Sequence, residues 1–146
     1  MSQKNAIIDK LRSSNLRPTR QRVFIAEYLF NREKTFHFTV EKLNKILNKK
    51  ENLEKISLAT IYNTVSAFKK AGHLKEILTN NNTSYFDTNI SSHHHFFDID
   101  TNELEDINFN EIQVVKMPHA PKGKKFKDLE VTISVQRNKN HNSSNN

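Results

Sequence analysis

SLATIYNTVSAFKKAGHLKEILTNNNTSYFD, residues 57–87, changes its periodicity half-way. In the first half Leu58, Ile61, Val65 and Phe68 recur every three or four residues, the spacing of one apolar helix face. Ser57 is a favourable N-cap, and Gly72 is a helix stop. The opposite face carries Ala59, Asn63, Ser66 and Lys70, with Tyr62 on its flank. Beyond Gly72 the runs HLKEIL and TSYFDTN are short and β-prone, and the turn signal NNN separates them. The stretch predicts a helix over 57–71 followed by a β-hairpin. Helices closed by a hairpin are the order of a winged helix-turn-helix.

Upstream, three more helices are predicted. Ile7, Ile8 and Leu11 mark the first. RPTRQRVFIAEYLF (17–30) carries Thr19 as N-cap and Val23, Ala26 and Phe30 along one face. TVEKLNKILNKK (39–50) repeats the form with Thr39 as cap and Val40, Leu43 and Leu47 inward. Downstream, FFDI, ELEDI and DLEVTISV read as strands, and NFNEIQVV holds a short helical turn. From Arg137 the chain is polar and Asn-rich, the composition of a disordered tail.

Composition narrows the function. The 146 residues contain no cysteine, which excludes disulfides, thiolate zinc sites and thiol catalysis together. No apolar run approaches the ~20 residues that span a bilayer. The N-terminus lacks the apolar core of a signal peptide, so a cytoplasmic location is expected. Residues 1–90 carry 16 Lys+Arg against 8 Asp+Glu, net +8, whereas residues 91–146 carry 7 against 8, net −1. A basic front half suits a polyanionic partner, although solubility alone also accounts for such a charge.

The 57–71 helix offers what a base-reading helix needs. Asn63 can pair bidentately with adenine, and Tyr62 and Thr60 offer apolar surface and hydroxyls. Arg17, Arg20 and Arg22 precede or open the second helix, placed for the DNA backbone or a minor groove. An ordinary amphipathic helix with a solvated face carries the same pattern.

SSHHHFFDIDTNELEDI (91–107) is the other chemically dense segment. On an extended strand His93 and His95 point to one face and His94 to the other. Asp87 precedes them, Asp106 follows, and His37 sits at the mouth of the third helix. If these groups converge, an O/N ligand set without sulfur suits Zn(II), Mn(II) or Fe(II). The plain alternative is a polar strand with hydrogen-bonded histidines. A metal-dependent hydrolase is disfavoured: the chain has two glycines and no phosphate-binding loop, nucleophile elbow or HExxH. A metal-independent architectural DNA-binder is the third reading.

Arg17-Pro18-Thr19-Arg20-Gln21-Arg22, His37-Phe38-Thr39, Ser57-Leu58-Ala59-Thr60-Ile61-Tyr62-Asn63-Thr64 and Ala71-Gly72-His73-Leu74, in that order, resemble the ferric uptake regulator (Fur) superfamily over roughly residues 15–110. Tyr85–Asn89, His93–Phe96 and Asn102-Glu103-Leu104 look like its iron response regulator branch. The resemblance implies an α+β chain: an N-terminal winged helix-turn-helix DNA-binding domain over 1–89, a small α/β dimerisation and effector-sensing domain over 90–136, and a disordered tail over 137–146. It implies a homodimer on double-stranded DNA at AT-rich inverted repeats of iron- and haem-related genes, with Arg17 in a minor groove and Tyr62 at bases.

It also implies a regulatory metal site on His37, Asp87 and His95, with His93 a further candidate. Asp106 joins as the acidic ligand once a one-residue gap is allowed after Asp98. Two departures stand out. The CxxC structural zinc motif is absent, and the usual HHHDH reads HHHFF, which removes ligands from an additional metal site. In the iron response regulator branch the HHH stretch is associated with haem. Here His93, His94 and His95 would be the haem ligands beside apolar Phe96 and Phe97. The expected protein is therefore an iron- or haem-responsive transcriptional regulator and not an enzyme. The alternative is a metal-loaded repressor using Fe(II), Mn(II) or Zn(II) without haem.

Binding to AT-rich duplex DNA should weaken steeply with salt. A footprint neutralising about six phosphates loses roughly 10³-fold in affinity between 50 and 200 mM salt. Fluorescence anisotropy at both salt concentrations checks this, and a flat response would contradict the charge argument.

Overall fold

The computed structural model describes residues 2–139. The chain divides into two compact units, the first ending at Ile90 and the second beginning at Ser91.

The N-terminal unit holds α1 (Gln3–Ser13), α2 (Arg20–Phe30), β1 (His37–Phe38), α3 (Val40–Leu47), α4 (Leu58–Lys70), β2 (Lys75–Leu78) and β3 (Ser84–Asp87). The expected caps form. Thr19 Oγ1 accepts the Arg22 N–H at 3.3 Å, Thr39 Oγ1 the Lys42 N–H at 3.1 Å and Ser57 Oγ the Thr60 N–H at 3.1 Å. Each bond satisfies one of the donors that a helix start leaves open. Gly72 follows α4 at φ +83°, where a Cβ is disfavoured. Leu11, Ile25, Leu29, Leu43, Leu47, Ile61 and Phe68 are buried together as one core.

Two details depart from the helical pattern. Leu58, placed on the inner stripe of α4, is 44% exposed, because it sits in the first turn where the helix has not yet reached the core. Thr64, which no apolar count finds, is buried instead. The hairpin forms as expected: β2 and β3 pair antiparallel with Glu76 opposite Phe86 and Ile77 opposite Tyr85. β1 was not expected. It pairs antiparallel with the other edge of β3, giving the order β1-β3-β2 and placing His37 opposite Asp87 and Phe38 opposite Phe86. Phe36, Phe38 and Phe86 stack in sequence, with centroids 5.5 and 5.8 Å apart.

The C-terminal unit is a three-stranded sheet of β4 (His94–Asp98), β5 (Glu103–Ile107) and β6 (Thr132–Val135), in the order β5-β4-β6. β4 runs antiparallel to β5 and parallel to β6. The helical turn is a 3₁₀ turn at Phe109–Glu111, and residues 112–131 hold neither helix nor strand. The expected last strand shortens to Thr132–Val135, because Asp128–Val131 lie outside the ladder. Of the tail, the Arg137 N–H donates to Asp100 Oδ2 at 2.7 Å, and residues 140–146 lie outside the described residues. Among the described residues no helix is long and apolar enough to cross a membrane.

His73 fastens α1 to the end of α4. Ser14 Oγ donates to the Lys10 carbonyl at 2.9 Å, so the His73 Nε2–H donates to Ser14 Oγ at 2.6 Å. The ring lies against Phe30 and Phe68. Desolvation, then the charge of Lys10, lowers the His73 pKa below its ordinary 6.5. A base whose folded pKa is lowered leaves stability intact above the unfolded value and removes it as pH falls below. Thermal unfolding of the wild type should therefore lose ground to a His73→Gln variant as pH drops below 6.5. A constant difference in melting temperature across that range would contradict the assignment.

Candidate metal centre

Each unit gathers part of the expected ligand set. In the N-terminal unit the β1–β3 register brings His37 Nε2 to 3.1 Å from Asp87 Oδ2. Asp87 is fully buried, and its other oxygen accepts the Asn89 N–H at 2.8 Å. Burying a carboxylate is costly unless hydrogen bonds or positive charge face it. The neighbouring loop is fixed as well: the Phe36 N–H donates to Thr88 Oγ1 at 2.9 Å.

In the C-terminal unit the strand alternation holds. His93 and His95 share one side, with ring centroids 4.4 Å apart. Their Nε2 atoms lie 3.2 and 3.1 Å from the same atom, Asp106 Oδ1. The β4–β5 register places Asp106 opposite His95. The proton on His93 is fixed by its other nitrogen. Nδ1 is 2.6 Å from the Ser91 carbonyl, which only accepts, so Nδ1 carries a hydrogen and donates it. Neutral His93 therefore turns a lone pair on Nε2 toward a carboxylate oxygen. Two acceptors at 3.2 Å repel unless positive charge sits between them. A hydrogen on His93 Nε2 supplies that charge, and so does a divalent ion, which would also take a lone pair from His95 Nε2 at the same oxygen. The Nδ1–H···O=C bond that orients a ligating imidazole is in place. The donor set thus fits a divalent Fe, Mn or Zn ion, for which His93 Nε2, His95 Nε2 and Asp106 Oδ1 would be ligands.

His94 has a different task. Its Nδ1 accepts the Val131 N–H at 2.9 Å, and its ring stacks on Phe109 at 5.3 Å. Phe97 is buried in the same unit, while Phe96 is half-buried.

The expected DNA-reading residues all belong to the N-terminal unit. Tyr62 and Asn63 project outward from α4, and Thr60 is half-buried with its Oγ1 accepting from Ser57 Oγ at 2.8 Å. Arg17 and Arg20 are exposed. Arg22 Nη1 donates to the Arg17 carbonyl at 3.3 Å, bracing the RPT segment. Arg20 pairs with Glu54 at 2.5 Å. Residue spacing carries no sign that the Tyr62 hydroxyl donates to Glu41 Oε1, at 2.8 Å, across two helices.

The profile of the Ferric uptake regulator family matches residues 13–136. The chain belongs to that family. It is 31% identical over 109 residues to the peroxide-responsive repressor PerR of Staphylococcus epidermidis, covering 75% of this chain and 70% of the repressor. It is 29% identical over the same length to the PerR of Staphylococcus aureus strain Mu50, covering 75% and 71%. The fold superposes on the manganese-containing ferric uptake regulator of Pseudomonas aeruginosa with TM-score 0.67 at 23% identity, over 94% of this chain and 100% of that one. The Vibrio cholerae ferric uptake regulator gives 0.64 at 18%, over 89% and 98%. The protein is a metal-responsive transcriptional regulator of the Fur family, with an N-terminal helical DNA-binding domain and a small C-terminal sheet domain. Fur-family proteins are DNA-binding regulators, typically dimeric, and not enzymes.

Removing the Asp106 carboxylate charge while keeping its shape isolates its part in metal binding. Asp106→Asn should weaken Mn(II) or Zn(II) binding by at least about tenfold, or ~1.4 kcal/mol, in isothermal titration calorimetry. Unchanged affinity would remove Asp106 from the ligand set.

Proposed function

We propose that this chain is a homodimeric repressor that takes Fe(II), Mn(II) or Zn(II) as corepressor, on one site built from His37, Asp87, His93, His95 and Asp106. The observation that carries the proposal is the pair of imidazole nitrogens turned on one oxygen of Asp106. With neutral histidines the five groups carry a charge of −2, which one divalent ion cancels. Asp87 and His93 are six residues apart in sequence, so the backbone tethers them within ~20 Å. A metal held by residues of both units would bias their relative arrangement and hence operator affinity.

In this reading α4 is the recognition helix and the β2–β3 hairpin the wing. Asn63, Tyr62 and Thr60 face bases, and Arg17, Arg20 and Arg22 face the backbone or minor groove of AT-rich operators. Dimerisation is supported by apolar side chains exposed on the C-terminal unit, among them Phe109, Val115, Met117, Phe126 and Ile133. Haem is not part of the proposal. His94 Nδ1 already accepts a backbone N–H, Phe97 is buried, and His93 and His95 turn to a carboxylate. Membership of the iron response regulator branch therefore rests on the HHH stretch and its flanking residues alone.

The test is operator selection from a random duplex pool, followed by affinity measurement on metal-free protein, with Mn(II) or Zn(II), and with haem. The metal should tighten binding by about 5–150-fold, the range of ordinary allosteric coupling. The gain should vanish in His95→Ala. Equal affinity with and without metal would overturn the corepressor reading, and loss of binding on adding haem alone would restore the haem reading.

A further inference from the structure

The geometry points to Glu41 as a specificity-determining residue: by accepting the Tyr62 hydroxyl proton, it makes that hydroxyl a hydrogen-bond acceptor toward DNA. The inference rests on α4 being the DNA-reading helix. It adds a residue that lies on another helix.

Glu41 is the second residue of α3, and its Oε1 lies 2.8 Å from the Tyr62 hydroxyl on α4. An ionised carboxylate can only accept, so the phenol donates its single proton to it. What remains on the Tyr62 oxygen is lone-pair density. Tyr62 is 47% exposed, so this oxygen is available to a partner outside the chain. Glu41 raises the Tyr62 pKa above its ordinary 10.0, first through the hydrogen bond and then through its charge, so the phenol stays neutral while it accepts.

The consequence for recognition is specific. A hydroxyl free to rotate can donate to a phosphate, to thymine O4 or to guanine O6, and so distinguishes little. A hydroxyl whose proton is committed can only receive. In the major groove the receivable donors are the amino groups of adenine N6 and cytosine N4. Phosphate is disfavoured twice, since it offers no proton and meets the charge of Glu41. The cation in the groove beside Tyr62 is already engaged. The groove is lined by Glu41, Ser66, Lys69, Glu76 and Ser84, and Lys69 is ion-paired with Glu76, which also accepts from Ser84 Oγ at 2.8 Å. Tyr62 is thereby turned from a general DNA contact into a reader of one base amino group.

Glu41 also has a plain structural use, as the acid in the first turn of α3, where the helix dipole favours negative charge. The experiment separates the two roles. Metal-loaded, full-length protein is titrated against a duplex selected by the wild type and against copies in which single adenine–thymine pairs are replaced by hypoxanthine–cytosine, which puts an O6 acceptor where the N6 amino group was. For the wild type, one replacement should cost about fivefold, the worth of one hydrogen bond. Tyr62→Phe and Glu41→Ala should each flatten that one position to within about twofold, and the double variant should flatten it no further. Glu41→Asp keeps the helix-terminal charge but shortens the reach. It should behave like Glu41→Ala at that base and like wild type in melting temperature, whereas Glu41→Gln, whose amide oxygen still accepts, should retain part of the preference. A wild-type discrimination that survives in Glu41→Ala and Glu41→Asp, or the absence of any amino-sensitive position, would overturn the role of Glu41. If the metal-loaded wild type selects no duplex at all, the DNA-reading assignment of α4 itself fails.

Discussion

The two-residue ladder between His37–Phe38 and Phe86–Asp87 is the constraint on which the N-terminal unit depends. It joins segments about fifty residues apart, a closure that costs entropy and must be repaid in contacts. Phe38 and Phe86 repay it by stacking and by leaving water. The same ladder makes β3 a central strand, so its buried backbone groups are paired on both edges. It also fixes where the chain turns into α3, since Thr39, the N-cap, directly follows Phe38. Asp87 is carried into the interior by this packing. An imidazole and a backbone N–H that meet the carboxylate make it tolerable there. The His37–Asp87 pair is thus a by-product of the pairing that closes the fold.

The C-terminal unit reaches a similar position by a different route. Here strand alternation sorts three consecutive histidines into two roles. His93 and His95 meet Asp106 across the β4–β5 pair, and His94 turns the other way onto Phe109. What each ring does then follows from its second nitrogen. The Ser91 carbonyl forces a proton onto Nδ1 of His93, while the Val131 N–H requires a lone pair on Nδ1 of His94. One ring is therefore left with a donor atom aimed at an acid, and the other is committed to the backbone. The HHH run is one pair facing Asp106 with a structural residue between its members.

Much of this was legible in the sequence, because the relevant physics is local. Caps at Thr19, Thr39 and Ser57 depend on residues three apart, and the alternation of His93 to His95 depends only on strand geometry. β1 was not legible, since two residues carry no period. Thr64 was missed for a related reason: a buried threonine on α4 looks polar in any hydrophobic pattern. The length of the last strand was overread because Asp128–Val131 alternate like a strand, yet have no partner strand in the ladder. Proton positions on the histidines are beyond reach, as they depend on the turn that aims the Ser91 carbonyl at His93 and on Val131, which only the fold brings to His94. The Glu41–Tyr62 bond joins residues on different helices and leaves no trace in spacing.

The absence of cysteine sharpens what His94 contributes. No thiolate zinc can brace the small sheet, and β6 reaches β4 only after a long stretch without regular structure. A parallel strand at the end of such a stretch needs its register pinned at entry. Val131, the residue just before β6, is held through both of its backbone groups. Its N–H donates to His94 Nδ1 and its carbonyl accepts the His95 N–H at 3.1 Å. His94 and His95 therefore fix the point where β6 begins, and β4 carries that register on through Asp98 opposite Val135. Because the backbone of His95 pins Val131 while its imidazole faces Asp106, one residue links the strand that completes the sheet to the group that would receive the metal.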